Sequence, residues 1–419
     1  MHKIFLLACA CFLSAQTALA GPALLPNTTP AMEKAAFWYT GEGKQIVADR
    51  ARIETMNRSM VSATMCNLAT FPASISGAQI KEYRAPYQID PELYIQGKPI
   101  TKTYEQTLLD DALGDITPGT ATVKYGVVIC RSNLRSFPTL TRAFTTPEDQ
   151  NFDMWQETAV DPGEPAIILH YNKKGNFVFV QLASYRGWLP TNQVAVTNKA
   201  TWLTYVEPKE FAVVTGKTLL LRQELYQMGA KLPLVKDKLL VPTRNKFGYL
   251  EPVAMTAAFN ADLHKGYLPF TRNNLVRMAF KHLGAPYGWG GLDNSVDCSA
   301  FVQDVYNTVG VHLPRNGDEQ AAAFPGTNLE NLTGKEKIEV IKTLPPGSLL
   351  FTPYHVMLYL GEKNGRPYMI HAAGSYGAED ANGDIYKKRI MQVIVSDIYL
   401  LGGSGNSLLS QMTKAINYH

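Results

Sequence analysis

Hydrophobic and polar positions follow three different rhythms along the 419-residue chain. Between Ala31 and Phe71 the apolar residues Ile53, Met56, Met60 and Ala63 recur at three- and four-residue steps, the spacing of one buried helix face. Tyr83 to Pro99 carries several prolines and aromatics and predicts an extended covering segment, and Asp115 to Thr120 predicts a linker. From Ala121 to Thr197 short β-prone runs (Tyr125 to Ile129, Pro165 to His170, Asn176 to Gln181, Gly187 to Val194) alternate with turns such as Asp161-Pro162-Gly163, which predicts a small β-barrel. Phe211 to Thr215, Leu219 to Leu221, Lys238 to Pro242 and Gly248 to Leu250 predict a second. Beyond Thr271 the pattern becomes mixed. Thr271 is placed to cap a helix whose Leu275, Met278, Ala279 and Leu283 share a face, and a second helix begins at Cys298. Strands are then predicted at Ser348 to Phe351, His355 to Leu360, Pro367 to His371 and Ile390 to Val395.

Composition narrows the class. Hydrophobic residues make up 46% and charged residues 18%, as in folded globular chains, and the length calls for more than one core. The amino terminus pairs a short polar start with the apolar run Ile4 to Leu13 and the small-x-small signal Ala18-Leu19-Ala20. This reads as a secretory signal peptide cut after Ala20; the run is too short for a membrane span. Leu6-Leu7-Ala8-Cys9 resembles a lipoprotein box, but it follows Lys3 too closely to be preferred. The formal charge of +4 is small and dispersed, so nucleic acid is not an expected partner. After removal of Cys9 and Cys11, Cys66, Cys130 and Cys298 remain, leaving open one bridge (Cys66 to Cys130) plus a free thiol, or three free thiols. No Cys-x-x-Cys pair or His-Glu-x-x-His motif occurs, so neither a metal nor another cofactor is expected.

The chemistry concentrates at Tyr287-Gly-Trp-Gly-Gly-Leu-Asp-Asn-Ser-Val-Asp-Cys298. Asp297 is a good helix cap, which places Cys298 in the first turn, where the dipole and free amides favour a thiolate and could hold an oxyanion. A lone cysteine is more commonly a small buried residue. Two histidines on the following strands, His355 and His371, change that balance, because a base beside the thiol and a group that orients the base form a nucleophilic triad. His170, His264, His282, His312 and His419 read as ordinary core or surface residues.

Five ordered motifs, Tyr287-Gly-Trp-Gly-Gly, Asp297-Cys-Ser-Ala-Phe, Leu313-Pro-Arg, Pro346-Gly-Ser-Leu-Leu-Phe and His355-Val-Met-Leu-Tyr-Leu-Gly, resemble the NlpC-type papain-like peptidases of the cell wall over residues 271 to 400. The resemblance implies Cys298 as nucleophile, His355 as base, His371 as its orienting partner, Tyr287 lining the site near the oxyanion hole, and Asp297 and Ser299 as substrate contacts. Arg131-Ser-Asn-Leu-Arg-Ser-Phe-Pro-Thr139, Phe152-Asp-Met-Trp-Gln-Glu157, Gly163-Glu-Pro165 and Tyr185-Arg-Gly-Trp188 are similar to the first bacterial SH3-like barrel of multidomain members. That subgroup implies hydrolysis of the γ-D-glutamyl–diamino-acid bond of murein peptides bearing a free amino-terminal L-Ala. Asp153, Glu157 and Tyr185 are the candidates for holding its ammonium group. Two departures stand out: Asn316-Gly317 after Leu-Pro-Arg315, and Gly347-Ser348 where Gly-Asp is usual.

The expected architecture is therefore multidomain α+β. It comprises a signal peptide (1–20), a helical N-terminal stabilising segment (21–118), SH3-like barrels at 119–198 and 199–268, and a papain-like α+β peptidase domain (269–419). The expected function is an exported cysteine peptidase of the periplasm or cell envelope, monomeric, with peptidoglycan peptides as partners. Two other readings use the same scaffold: a wall-binding protein whose catalytic site has lapsed, and an acyltransferase or amidase.

Overall fold

In the last segment the strands form one antiparallel sheet in the order Thr327–Asn328, Lys414–Ile416, Leu349–Thr352, His355–Lys363, Arg366–Glu379, Ile385–Asp397. Both faces are covered. Val356, Leu358 and Leu360 pack beneath the Cys298–Asn307 helix, while Met357 and Tyr359 join Ile341 of the Gly334–Lys342 helix on the other side. Burial on both faces explains why the run after His355 is continuously apolar rather than alternating. In the cysteine helix Phe301, Val302 and Val305 are fully buried, each a contribution of about 1.5–3 kcal/mol.

The protein is represented by a computed structural model that describes residues 21–60, 62–114, 116 and 119–419. The signal-peptide and lipoprotein-box readings, and residues 115, 117 and 118 of the expected linker, lie outside the described residues, while Thr120 begins a short strand, Thr120–Thr122, paired with Ser74–Ser76. Among the described residues, no helix is long and apolar enough to cross a membrane.

The first barrel is a seven-stranded antiparallel sheet whose strands include Lys124–Val128, Gln156–Val160, Pro165–Tyr171, Phe177–Gln181 and Arg186–Pro190. The second has a five-stranded sheet and a separate hairpin, Thr218–Leu221 with Glu224–Gln227. Its Gly248 to Leu250 run forms a loop rather than the expected strand, and Val253–Thr256 pairs instead. Residues 199–206, assigned from sequence to the second barrel, instead form the Lys199–Val206 helix, which places Trp202 and Tyr205 in the core of the first.

The N-terminal segment departs most from its expectation. Only Arg50–Ser59 of the Ala31 to Phe71 stretch is α-helical; Gly77–Arg84 and the unforeseen Lys102–Leu113 supply further helices. The segment has no single core of its own. Met32, Trp38, Met56 and Met60 pack into the core of the cysteine helix, whereas Leu68, Ile75, Ile80 and Ala112 pack into the first barrel. It works as a staple between the two units that flank the site.

Candidate active site

Local sequence sets the nucleophile's position. The Asp297 carboxylate accepts from the Ala300 amide at 2.8 Å, capping the helix so that Cys298 is its first residue. His355 opens the adjacent strand, after a turn in which Thr352 pairs with His355. The Val356 amide is directed at the Cys298 sulfur, as is that of Ser299.

His355 Nε2 and His371 Nδ1 lie 2.7 Å apart, and His371 Nε2 lies 2.9 Å from the Ser396 hydroxyl. One tautomer satisfies the whole chain: His355 donates from Nε2 to His371, and His371 donates from Nε2 to Ser396. That leaves His355 Nδ1 as a lone-pair base. Burial holds His355 down to about 4, and burial with the neighbouring His355 holds His371 well below the usual histidine range. Both rings are therefore neutral near pH 7.

The thiol does not follow its expected shift. The Val356 and Ser299 amides favour the thiolate, but burial, reinforced by the Asp297 carboxylate, outweighs them and pushes Cys298 up to about 12. With the thiol above neutrality and the imidazole below it, the resting pair is uncharged. Alkylation of the Cys298 peptide by iodoacetamide should accordingly keep rising from pH 6 to pH 10 with no plateau, because each step in pH adds thiolate. A plateau at or below pH 7 would reveal a resting thiolate–imidazolium pair.

Behind the nucleophile lies a buried polar network. Arg315 donates to both Asp297 oxygens (3.1 and 2.7 Å), to Ser299 Oγ (2.8 Å) and, across to the first barrel, to Thr158 Oγ1 (2.7 Å). Asp297 also accepts from the Gly290 amide at 3.0 Å. Gly290 and Gly291 have φ of +59° and +73°, and a Cβ on either would meet Gln156 or Ala159 of the barrel at 2.5 and 2.9 Å. The glycines thus serve both the turn before the helix and the close approach of the barrel. Gln156 fixes that approach by donating to the Gly290 carbonyl at 3.0 Å.

Residues 284–395, which contain the cysteine and both histidines, match the NlpC/P60 family. They form an NlpC/P60 domain. Residues 142–190, within the first barrel, match the SH3 domain of the SH3b1 type. A gamma-D-glutamyl-L-lysine dipeptidyl-peptidase of Bacillus cereus is 24% identical over 239 residues, 52% of this chain and 67% of that protein. A protein of the same name from Bacillus subtilis is 30% identical over 100 residues, 22% of this chain and 30% of that protein. The chain therefore aligns with two-thirds of the first relative's length and under a third of the second's. An NlpC/P60 endopeptidase structure from Photobacterium damselae subsp. piscicida is similar at a TM-score of 0.76 and 17% identity, covering 94% of this chain and 98% of that one, which is a likeness of fold.

One wall of the cleft joins the NlpC/P60 domain to the barrel. Phe152 of the barrel has its ring 6.0 Å from Tyr287 and 5.7 Å from Trp289. Arg389 lies over the same ring at 5.2 Å and pairs with Asp149. Burial and the nearby Cys298 and Asp297 push the Tyr287 phenol up, so it stays protonated and can donate.

Of the barrel candidates, Glu157 and Tyr185 come together: Tyr185 donates to Glu157 at 2.7 Å, and Asn316 of the NlpC/P60 domain donates to Tyr185 at 3.3 Å. Ser136 donates to the other Glu157 oxygen. Asp153 does not join them, contrary to the expectation from sequence. It is 0% exposed, paired with Arg135 at 2.5 Å and accepting from the Ala143 and Trp155 amides, so its charge is used inside the barrel. Asp297 and Ser299 are likewise turned into the Arg315 network rather than toward an open cleft. Arg315, Phe152 and Ser396 were given no role from sequence, and Asn316 stood out only as a departure from the family pattern. Arg315 and Asn316 sit in and just after the Leu-Pro-Arg motif, and Ser396 is a polar residue ending an apolar run. Cys66 and Cys130 are both free, with Leu182 and Ser132 as their respective neighbours, so the bridge is excluded in favour of three free thiols among the described residues. No group of three potential metal ligands occurs among the described residues.

Proposed function

We propose that this protein is an exported cysteine peptidase that hydrolyses the γ-D-glutamyl–diamino-acid bond of murein peptides carrying a free amino-terminal L-Ala. The observation that supports this reading is the hydrogen-bonded row His355–His371–Ser396 on the strands packed against the helix that Cys298 opens, with Glu157 on the barrel that meets this domain. His355 takes the thiol proton as the sulfur attacks the γ-glutamyl carbonyl. Backbone amides at the helix start and the Tyr287 phenol are the donors placed to receive the developing oxyanion. The tetrahedral adduct collapses to a thioester, and the imidazolium returns its proton to the departing amine. Water, deprotonated by His355, then releases the acid and restores the thiol. The bond class follows the similarity to the gamma-D-glutamyl-L-lysine dipeptidyl-peptidase of Bacillus cereus.

Glu157, held by Tyr185 and Ser136, retains lone pairs for a substrate ammonium. The free-amine tripeptide L-Ala-γ-D-Glu-diaminopimelate should be cleaved at least about tenfold faster than its N-acetyl form, since acetylation removes the charge that a carboxylate recognises. Glu157→Gln should raise KM for the free-amine peptide and shrink the preference, and Asp153 plays no part in it. Mass spectrometry of the products reads both results, and equal rates on the two peptides would remove the ammonium site from the mechanism.

A further inference from the structure

We infer that Phe152 of the first barrel is a positioning residue for the reaction: its ring sets the orientation of the Tyr287 side chain across the domain boundary. This rests on the peptidase reading above, in which the Tyr287 phenol is an oxyanion donor. The backbone of Tyr287 is fixed by its own domain. Its amide donates to the Met391 carbonyl at 2.9 Å, and it forms a parallel bridge with Val296, where the Gly288 amide donates to the Val296 carbonyl at 3.0 Å. Asp297 and Cys298 follow directly. Met391 lies in a bulge: between the pairs Ala373 with Gln392 and Ser375 with Arg389, Ile390 and Met391 oppose Gly374 alone. These bonds place the Tyr287 backbone beside the start of the cysteine helix. They leave its side-chain torsions, and so the phenol, to be set by packing.

That packing comes from the barrel. The Phe152 ring meets Tyr287 at 6.0 Å and 55°, and Trp289 at 5.7 Å and 69°, so one barrel ring packs against two rings of the turn before Cys298. A Cβ on Gly374 would lie 3.5 Å from Phe152 Cζ and 3.9 Å from Tyr287 Cε1, so both rings close over the same bare stretch of strand. Phe152 is itself held from two sides. Arg389 lies over its ring at 5.2 Å and pairs with Asp149 of the same barrel connection. On the barrel side the adjoining Asp153 is fully buried, paired with Arg135 and accepting from the Ala143 amide at 3.1 Å.

Docking of the barrel does not depend on this ring. Gln156 bonds to Gly290 at 3.0 Å and Arg315 to Thr158 at 2.7 Å, both more deeply buried than Phe152. What Phe152 adds is a fixed neighbour for Tyr287. The barrel thereby contributes to turnover as well as to recognition of the substrate's amino group.

The experiment is a double-mutant cycle in the full chain on L-Ala-γ-D-Glu-diaminopimelate, using Phe152→Ala, Tyr287→Phe and the double variant, with Phe152→Leu as the conservative control. Phe152→Ala should lower kcat about tenfold, with KM changed less than about threefold. Tyr287→Phe should lower kcat about 10²-fold, the loss of one oxyanion donor. Adding Phe152→Ala to it should cost no more than about twofold further, because an absent phenol cannot be misplaced. Phe152→Leu keeps most of the apolar bulk and should stay within about threefold of wild type. Small-angle scattering should give the same particle size for Phe152→Ala and wild type. Multiplicative losses in the double variant, or an unchanged kcat in Phe152→Ala, would overturn the role of Phe152 while leaving the peptidase reading intact. An expanded particle accompanying the loss in Phe152→Ala would also overturn it, since the ring would then merely hold the barrel. Tyr287→Phe turning over as fast as wild type would remove the phenol from the mechanism and the inference with it. A wild type that does not cleave the peptide would overturn the peptidase reading itself.

Discussion

Cys298→Ala is expected to lose at least about 10⁴-fold in turnover of the free-amine tripeptide while keeping its fold, because the proposed mechanism runs through the sulfur as its nucleophile. Alanine is the best helix former and fits the first turn, and Asp297 still caps it through the Ala300 amide. The melting temperature should therefore move by no more than a few degrees. The loss should also fail to add. Cys298→Ala and Cys298→Ala/His355→Ala should be equally inactive, since the base has nothing to deprotonate once the sulfur is gone. Turnover by a folded Cys298→Ala protein, measured by product mass spectrometry, would refute the mechanism and return the protein to the class of wall-binding scaffolds.

Arg315→Met is expected to cost about 3–5 kcal/mol of stability, read from urea melts of the full chain. Burial alone would raise the Asp297 carboxyl, but Arg315 and the amides of Ala300 and Gly290 hold it below the usual carboxylate range. Methionine fills much the same volume yet leaves that carboxylate buried without a counter-charge, and leaves Thr158 without its partner across the barrel interface. Lysine should rescue little, because a point charge cannot reach both Asp297 oxygens, Ser299 and Thr158 as a planar fork does. The sign with pH follows from the depressed carboxyl. In the wild type the stabilisation is full above the unfolded carboxyl range, near pH 4, and is lost as the pH falls and Asp297 is protonated. In Arg315→Met the difference from wild type should therefore narrow in acid. A cost below about 1 kcal/mol at pH 7 would mean that the network does not hold a buried charge.

The two sets of site residues differed in how visible they were. Thr271 and Asp297 could be read as caps because a cap bonds to amides only three residues on, at Asn274 and Ala300. His355 and His371 could be paired because they start and interrupt apolar runs on neighbouring strands. Asp153 and Glu157 looked alike in sequence, two acids in one motif. Only their surroundings separated them, Arg135 burying the first and Tyr185 and Asn316 placing the second beside the catalytic domain. The thiol shift was misread for a related reason. A helix start lowers a cysteine's value locally, but how deeply the sulfur is buried depends on what packs over it.

The sequence by itself determined the elements around Cys298, the order of the barrels and the C-terminal segment, and the pairing of His355 with His371, all through periodicity, capping and motif spacing that act over a few residues. Tertiary structure decided the rest. Arg315 meets Thr158 from 157 positions away, and Met60 and Leu68, close in sequence, pack into two different cores. Such contacts carry no local signature. A charge or a methyl group has the same appearance in sequence whether it faces water, a counter-ion or another domain, and only the desolvation and pairing that folding imposes assign its role.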